Sequence, residues 1–346
     1  MKLLFLSDTH LGFDYTENPR IDRRRRSDDF FANYHQALAP ALNGEADLVV
    51  HAGDLFHRSR VPQSVISNAF APLLQIAEQG IPVYIIPGNH ERGFLPRSLF
   101  DTHPNIHTFS YPRTFIFDGT CRIALSGFPS QRKNIRSTFS SLVESTGWQA
   151  VKADLFFLVL HQIIEGAAVG IQNHVFKNGS DIIRAQDIPA VTAVLCGHIH
   201  TQQVLYHSLS NTRLAAPVIF SGSTERTSFV ERLETKGVYL FEFSDTPSFQ
   251  QCLKKSFIPL SSRPMIDLTI DEHISPNDCL GFLQWHATHL PADSIVRIRI
   301  EADQDHNLGP LLRIKHLRDI FPKSMNIQLS IPRKSPYHRN SNSPDH

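Results

Sequence analysis

Cysteine is scarce in this sequence: Cys121, Cys196, Cys252 and Cys279 lie far apart among 346 residues, with no CxxC pair. That spacing excludes a disulfide framework or a cysteine-based zinc site and makes a reducing interior the simpler expectation. Long apolar runs are lacking too; none approaches the ~20 residues of a membrane helix. The opening MKLLFLSDTH turns polar too early for a secretory signal. Nor does charge of one sign dominate, since 34 Lys and Arg face 33 Asp and Glu for a net +1. Near-neutrality neither advertises nor excludes a polyanionic substrate, because a local positive cleft can sit on a neutral protein. No internal repeat is visible. A soluble cytoplasmic protein without a membrane partner is expected.

What is present is a large apolar content, 41%, with only 19% charged residues, enough for a substantial core and too few charges for global disorder. Apolar runs at Lys2 to Ser7, Asp47 to His51, Pro82 to Ile86, Leu155 to Leu160 and Val191 to Cys196 each stop at a polar turn. Such Val-, Ile-, Leu- and Phe-rich runs fit strands covered on both faces. Between them the spacing predicts helices over Asp28 to Leu42, Gln63 to Gln79 and Thr138 to Gly147. Paired strands are expected at Arg113 to Phe117 and Arg122 to Ser126 around Asp118-Gly119, with further strands at Val218 to Phe220 and Gly237 to Phe243. Alternating strands and helices imply a layered α/β core, in which ligands collect beyond the strand ends. A second, smaller α/β domain is expected over residues 261–331, after a first domain spanning 1–260. It reads as strand Pro264 to Ile270, helix Asn277 to His289, strand Ser294 to Glu301, helix Leu311 to Ile320 and strand Met325 to Ile331. The polar, Pro-containing stretch 332–346 is expected to be a disordered tail.

Histidine is abundant at 19 residues, and the chemistry sits at the strand exits. These carry Asp8-Thr9-His10, Gly53-Asp54, Gly88-Asn89-His90, His161, and Gly197-His198-Ile199-His200. Residues two apart on an extended segment point the same way, so Asp8 with His10, and His198 with His200, can each face one site. Imidazole and carboxylate suit Mn, Fe or Zn, while the absence of sulfur argues against a soft-metal site. Two cations about 3.5–4 Å apart need a ligand that touches both, and a carboxylate serves; Asp54 is the candidate bridge. Taken singly, a DxH or a lone histidine after a strand is more often a turn or a hydrogen-bonded core residue. Five such signals at the exits of one α/β core are hard to assign to packing.

The ordered series DTHLG, GDLFH, GNHE, His161 and GHIH resembles the calcineurin-like metallophosphoesterases. Within them the chain is most similar to the nuclease subunit of the bacterial SbcCD complex and its archaeal and eukaryotic relatives. GSTERTSF from Gly222 and the pair Lys236-Gly237 match that branch. The resemblance implies a layered β-sandwich core flanked by helices and a small α/β cap domain. It implies metal ligands Asp8, His10, Asp54 and His200 for one ion, and Asp54, Asn89, His161 and His198 for the other. Two divalent ions are implied, Mn first, with Fe or Zn as substitutes. His90 is expected beside the scissile phosphate as an assisting acid, with His57 nearby. Exonuclease and endonuclease action on DNA, of the repair type, is the implied activity; a phosphodiesterase acting on a nucleotide or other small phosphodiester is the alternative. Arg20, Arg23, Arg24, Arg25 and Arg26 form either a DNA-facing rim or a solvated approach to a helix, whereas Arg58, Arg60 and Arg92 stand closer to metal motifs. Arg297 and Arg299 share one strand face, followed by Arg313, Lys315 and Arg318. The resembled nucleases are homodimers with an elongated ATPase partner. The apolar face of Gln63 to Gln79 fits either the sheet or a dimer interface, and the short polar stretch after Ile331 is expected to leave no room for ATPase-binding helices, so that such a partner is either not expected or uses another surface.

Overall fold

The computed structural model describes residues 1–17, 19–92, 95–96, 103–243, 254–271, 273–301 and 312–330. The expected tail at 332–346 and Cys252 lie outside the described residues. Two compact units separate, one built from Met1–Asn18 and Arg26–Ser262, the other from Pro19–Arg25 and Arg263–His346.

In the first unit the predicted apolar runs become the middles of two six-stranded sheets. One sheet runs Lys254–Pro259, Gly237–Glu242, Lys2–Leu6, Leu48–His51, Val83–Ile85, Ile106–Thr108 from edge to edge. The other runs Gln203–His207, Arg213–Phe220, Ala193–Gly197, Leu155–His161, Arg122–Gly127, Arg113–Asp118. Alternation along each strand explains the layering. Leu3, Phe5, Leu48 and Val50 face Leu125, Phe157, Val159 and Leu195 across the space between the sheets. The opposite faces, Leu4, Leu6 and Val49 on one sheet and Leu158, Leu160 and Val194 on the other, pack under helices. Helices Arg26–Leu42 and Gln63–Glu78 cover the first sheet, and Ile135–Glu144 covers the second. The expected layered α/β class is what forms. Val65, Ala69, Phe70, Leu73 and Ile76 are buried in the core beside the first sheet, so that helix face is used within the chain.

Parallel pairing aligns the strand exits. Leu6 lies opposite His51, and Gly197 opposite His161, so the polar turns that follow emerge at one end of the sandwich. The edge strands Ile106–Thr108, Gln203–His207 and Lys254–Pro259 carried no clear pattern in the sequence, since an edge needs only one buried face. The third helix begins at Ile135 and ends at Glu144, earlier than its expected span at both ends. Among the described residues no helix is long and apolar enough to cross a membrane.

The second unit holds three parallel strands, Met265–Ile270, Ile295–Ile300 and Asn326–Ser330, with helices Pro276–His289 and Ile314–Ile320. Its segment Pro19–Arg25 comes from far away in the chain. The Arg23 guanidinium donates to the carbonyls of Arg318, Phe321, Pro322 and Met325 at 2.6–3.1 Å. It satisfies carbonyls at the end of helix Ile314–Ile320 that have no partner within the helix. Arg23 is therefore a helix cap in this unit, and Arg26, buried in the first unit beside Asp29 and Glu225, is a core ion-pair residue. Arg297 and Arg299 both reach Asp267 on the neighbouring strand, at 2.5 and 2.9 Å.

Asp267 accepts from both arginines. Partial burial alone would raise its pKa, but these hydrogen bonds and charges hold it below the usual carboxylate value of 3.8. A carboxyl depressed in the folded state stabilises above its unfolded pKa and loses that contribution as pH falls through the folded one. The Asp267→Asn variant should thus melt below the parent at neutral pH, and the two melting curves should converge as pH drops below about 4. A gap that stays constant down to pH 2 would contradict this pairing.

Candidate metal centre

The turns after the central strands bring the expected residues together at one end of the sandwich. Two loops run side by side: the amides of Asp8 and His10 donate to the carbonyls of Gly53 and Asp54, at 2.9 Å each. Glu91 accepts from the amides of Phe56 (2.6 Å) and Gly88 (2.7 Å), clipping the GDLFH and GNHE loops to each other. The Asp8 carboxylate accepts the amide of His198 at 3.0 Å, tying the last ligand loop to the first.

Backbone geometry shows how tightly this convergence constrains the chain. Asp8, His10, Asp54 and His198 all have positive φ, between 45° and 83°. Non-glycine residues there cost roughly 1–3 kcal/mol each and persist where surrounding structure dictates them. Glycine supplies the remaining clearance. A Cβ on Gly88 would collide with the carboxylate and backbone of Asp54, and one on Gly53 (φ +91°) with the His161 ring. The packing at these glycines leaves room for the Asp54 carboxylate and the His161 ring alone.

Two groups of donors result. Asp8, His10 and His200 offer ligand atoms within 4.8 Å of one another, and so do Asp54, His161 and His198. His10 Nε2 and His200 Nε2 face each other at 3.0 Å. In the second group Asn89 Oδ1 lies 2.9 Å from His161 Nε2 and 2.6 Å from His198 Nδ1. Asp54 links the two: its Oδ2 is 3.3 Å from His161 Nε2 and 3.9 Å from His10 Nε2. Its Oδ1 accepts from the amide of His90 at 2.9 Å. His90 and His57 join His10 in a third grouping; His90 Nε2 is 3.8 Å from Asp54 Oδ2, and His90 Nδ1 meets the His57 carbonyl at 2.5 Å.

The buried carboxylates draw positive charge to this point. Asp8 and Asp54 are buried. Burial pushes the Asp8 carboxyl up, and Asp54 adds to the push. For Asp54 burial is overcome by His161, His10 and His90, which hold it well below the usual carboxylate range. Burial opposes charge on His161 too, but Asp54 and Asp8 carry it up to about 10. His198, buried and beside His161, is pushed down to about 3. Nitrogen and oxygen donors without sulfur, two buried carboxylates and one neutral amide form two adjacent sites suited to divalent ions such as Mn, Fe or Zn.

A family model for calcineurin-like phosphoesterases matches residues 1–202. The chain belongs to the calcineurin-like phosphoesterase family. Chains similar to it include the DNA double-strand break repair protein Mre11 of Haloferax volcanii, 29% identical over 280 residues. That alignment covers 79% of this chain and 56% of the Haloferax protein, so the chain spans little more than half that relative's length. The Methanocaldococcus jannaschii protein of the same name is 25% identical, with 82% of this chain and 73% of that one covered. A dimetal phosphatase from Danio rerio is similar at a TM-score of 0.43 and 11% identity, over 69% of this chain and 91% of that one.

Two features of the site have no counterpart among the sequence motifs' expected ligands. Glu91 stands inside GNHE, and Glu231 with Lys236 stands beside the GSTERTSF run. A carboxylate in an otherwise apolar or ligand-bearing stretch is the signal that could have marked each. Since Gly88 must clear Asp54, Gly88→Ala should abolish metal-dependent stabilisation: at 100 times the parent's dissociation constant of Mn, the parent should gain about 2.7 kcal/mol and the variant almost none. Equal melting shifts for both would contradict this packing.

Proposed function

We propose that this chain hydrolyses phosphodiester bonds in DNA at the two-ion centre, with Asp54 bridging, Asp8, His10 and His200 completing one site, and Asn89, His161 and His198 completing the other. The observation that carries this reading is the pair of donor groups joined through one carboxylate. Bound there, a pair of divalent ions, Mn first, would supply the charge neutralisation and water acidification that phosphodiester hydrolysis requires at neutral pH.

The chain's own residues do the rest. Asn89 offers a carbonyl oxygen without adding an anion where phosphate must enter. The His57 carbonyl can only accept, so His90 Nδ1 carries a hydrogen and Nε2 is left to hold or release a proton towards the departing oxygen. The His90 side chain is 34% exposed, within reach of a substrate, while Asp54 behind it is buried. Exposed Arg58, Arg60 and Arg92 stand next to the ligand loops and suit phosphate contacts. DNA as substrate is supported by relatives that carry the name of a DNA double-strand break repair protein over 79–82% of this chain. In this reading the second unit is a cap that helps position nucleic acid, and dimerisation and an ATPase partner are further proposals from the same branch. One observation favours the smaller-substrate alternative: Arg297 and Arg299 are bonded to Asp267 instead of standing free for DNA phosphates.

End-labelled single- and double-stranded DNA, incubated with Mn, should be cleaved by the parent and left intact by Asp54→Ala. His90→Gln should keep metal binding and lose about 10²–10⁴-fold in turnover. Hydrolysis of bis(p-nitrophenyl) phosphate with DNA left intact would overturn the DNA reading in favour of the alternative.

A further inference from the structure

Behind the first donor group lies a buried charge network that the proposed reaction does not use. Lys236, with 1% of its side chain exposed, donates to Glu231 Oε2 and Glu234 Oε2, both at 2.7 Å. The same ammonium donates to the backbone carbonyl of His200 at 2.9 Å. Glu231 Oε1 in turn lies 3.2 Å from His200 Nδ1 and accepts the Thr227 hydroxyl at 2.5 Å. One lysine thus grips both the backbone of His200 and the carboxylate that touches its ring.

We infer that Glu231, locked by Lys236, is a positioning residue that fixes the tautomer and orientation of His200 for metal binding. Burying a lysine with two carboxylates is a poor route to stability, since well-packed apolar side chains do as well or better. Two of its groups converge on His200, the ammonium on its carbonyl and the Glu231 carboxylate on its ring. Glu231, paired with the Lys236 ammonium, accepts hydrogen bonds, and the Thr227 hydroxyl, which spends its hydrogen on Glu231, also lies 3.2 Å from His200 Nδ1, so Nδ1 carries the hydrogen. Nε2 keeps its lone pair, facing His10 Nε2 at 3.0 Å and Asp8 Oδ1 at 3.8 Å. A carboxylate that orients a ligating imidazole in this way usually contributes 10–100-fold in metal affinity.

This inference rests on the proposed reading of His200 as a ligand, and calorimetric titration of metal-stripped protein with Mn separates the two. If the parent fails to bind two ions, the ligand reading itself fails. With two ions bound to the parent, Glu231→Ala should weaken one by 10–100-fold and leave the other near its parent value. Glu231→Gln, which retains an acceptor oxygen for Nδ1–H, should recover most of that loss. A folded Glu231→Ala that binds both ions as tightly as the parent overturns the inference, even if its metal-free melting temperature has dropped. Should the alanine variant not fold, Glu231→Asp decides: it keeps the charge for Lys236 but falls a methylene short of His200, so a several-fold loss supports positioning and parent affinity overturns it.

Discussion

Two buried carboxylates and a crowd of imidazoles meeting at one point is the constraint on which this structure turns. Burial strips the carboxylates of hydration, and the imidazoles around Asp54 offset part of that cost; a pair of divalent cations would offset more. Asp54 is the hinge of the arrangement because its carboxylate reaches both donor groups, and the loops that deliver it are held in left-handed backbone at Asp8, His10, Asp54 and His198. Four of the nine positive-φ non-glycine residues among the described ones cluster at this point, where tertiary convergence overrides local preference.

The rest of the first unit can be understood as the frame for that point. Parallel strands buried on both faces bring their carboxyl ends into line, and the face-to-face stacking of two sheets brings two sets of ends together. Glu91 clips two ligand loops through their amides, and the Lys236–Glu231 network braces a third from behind. Glycine at positions 53 and 88 is needed because His161 and Asp54 leave no room for a side chain. Rigidity at the centre is thus distributed over backbone hydrogen bonds, buried ion pairs and the absence of atoms.

Much of this was legible in the sequence because the relevant signals are local. A run of Val, Ile, Leu and Phe that stops at Asp or His identifies a covered strand and its exit together, and five such runs gave the layered class and the polar residues that converge. Pairings between distant segments leave no such trace. The basic run from Arg20 to Arg26 looked like one surface feature, yet Arg23 caps a helix some 300 residues later in the chain and Arg26 is buried against Glu225. Arg297 and Arg299 alternate as on an exposed strand face, but the parallel register sets Asp267 beside them. Edge strands such as Gln203–His207, half exposed, lack the continuous apolar run that betrayed the central ones.

If one carboxylate joins two ion sites, anomalous diffraction at the Mn absorption edge from Mn-loaded crystals will show it. Two peaks about 3.5–4 Å apart, with the Asp54 carboxylate touching both, are the predicted result. A single peak beside Asp54, or ions bound elsewhere with Asp54 free, would contradict it.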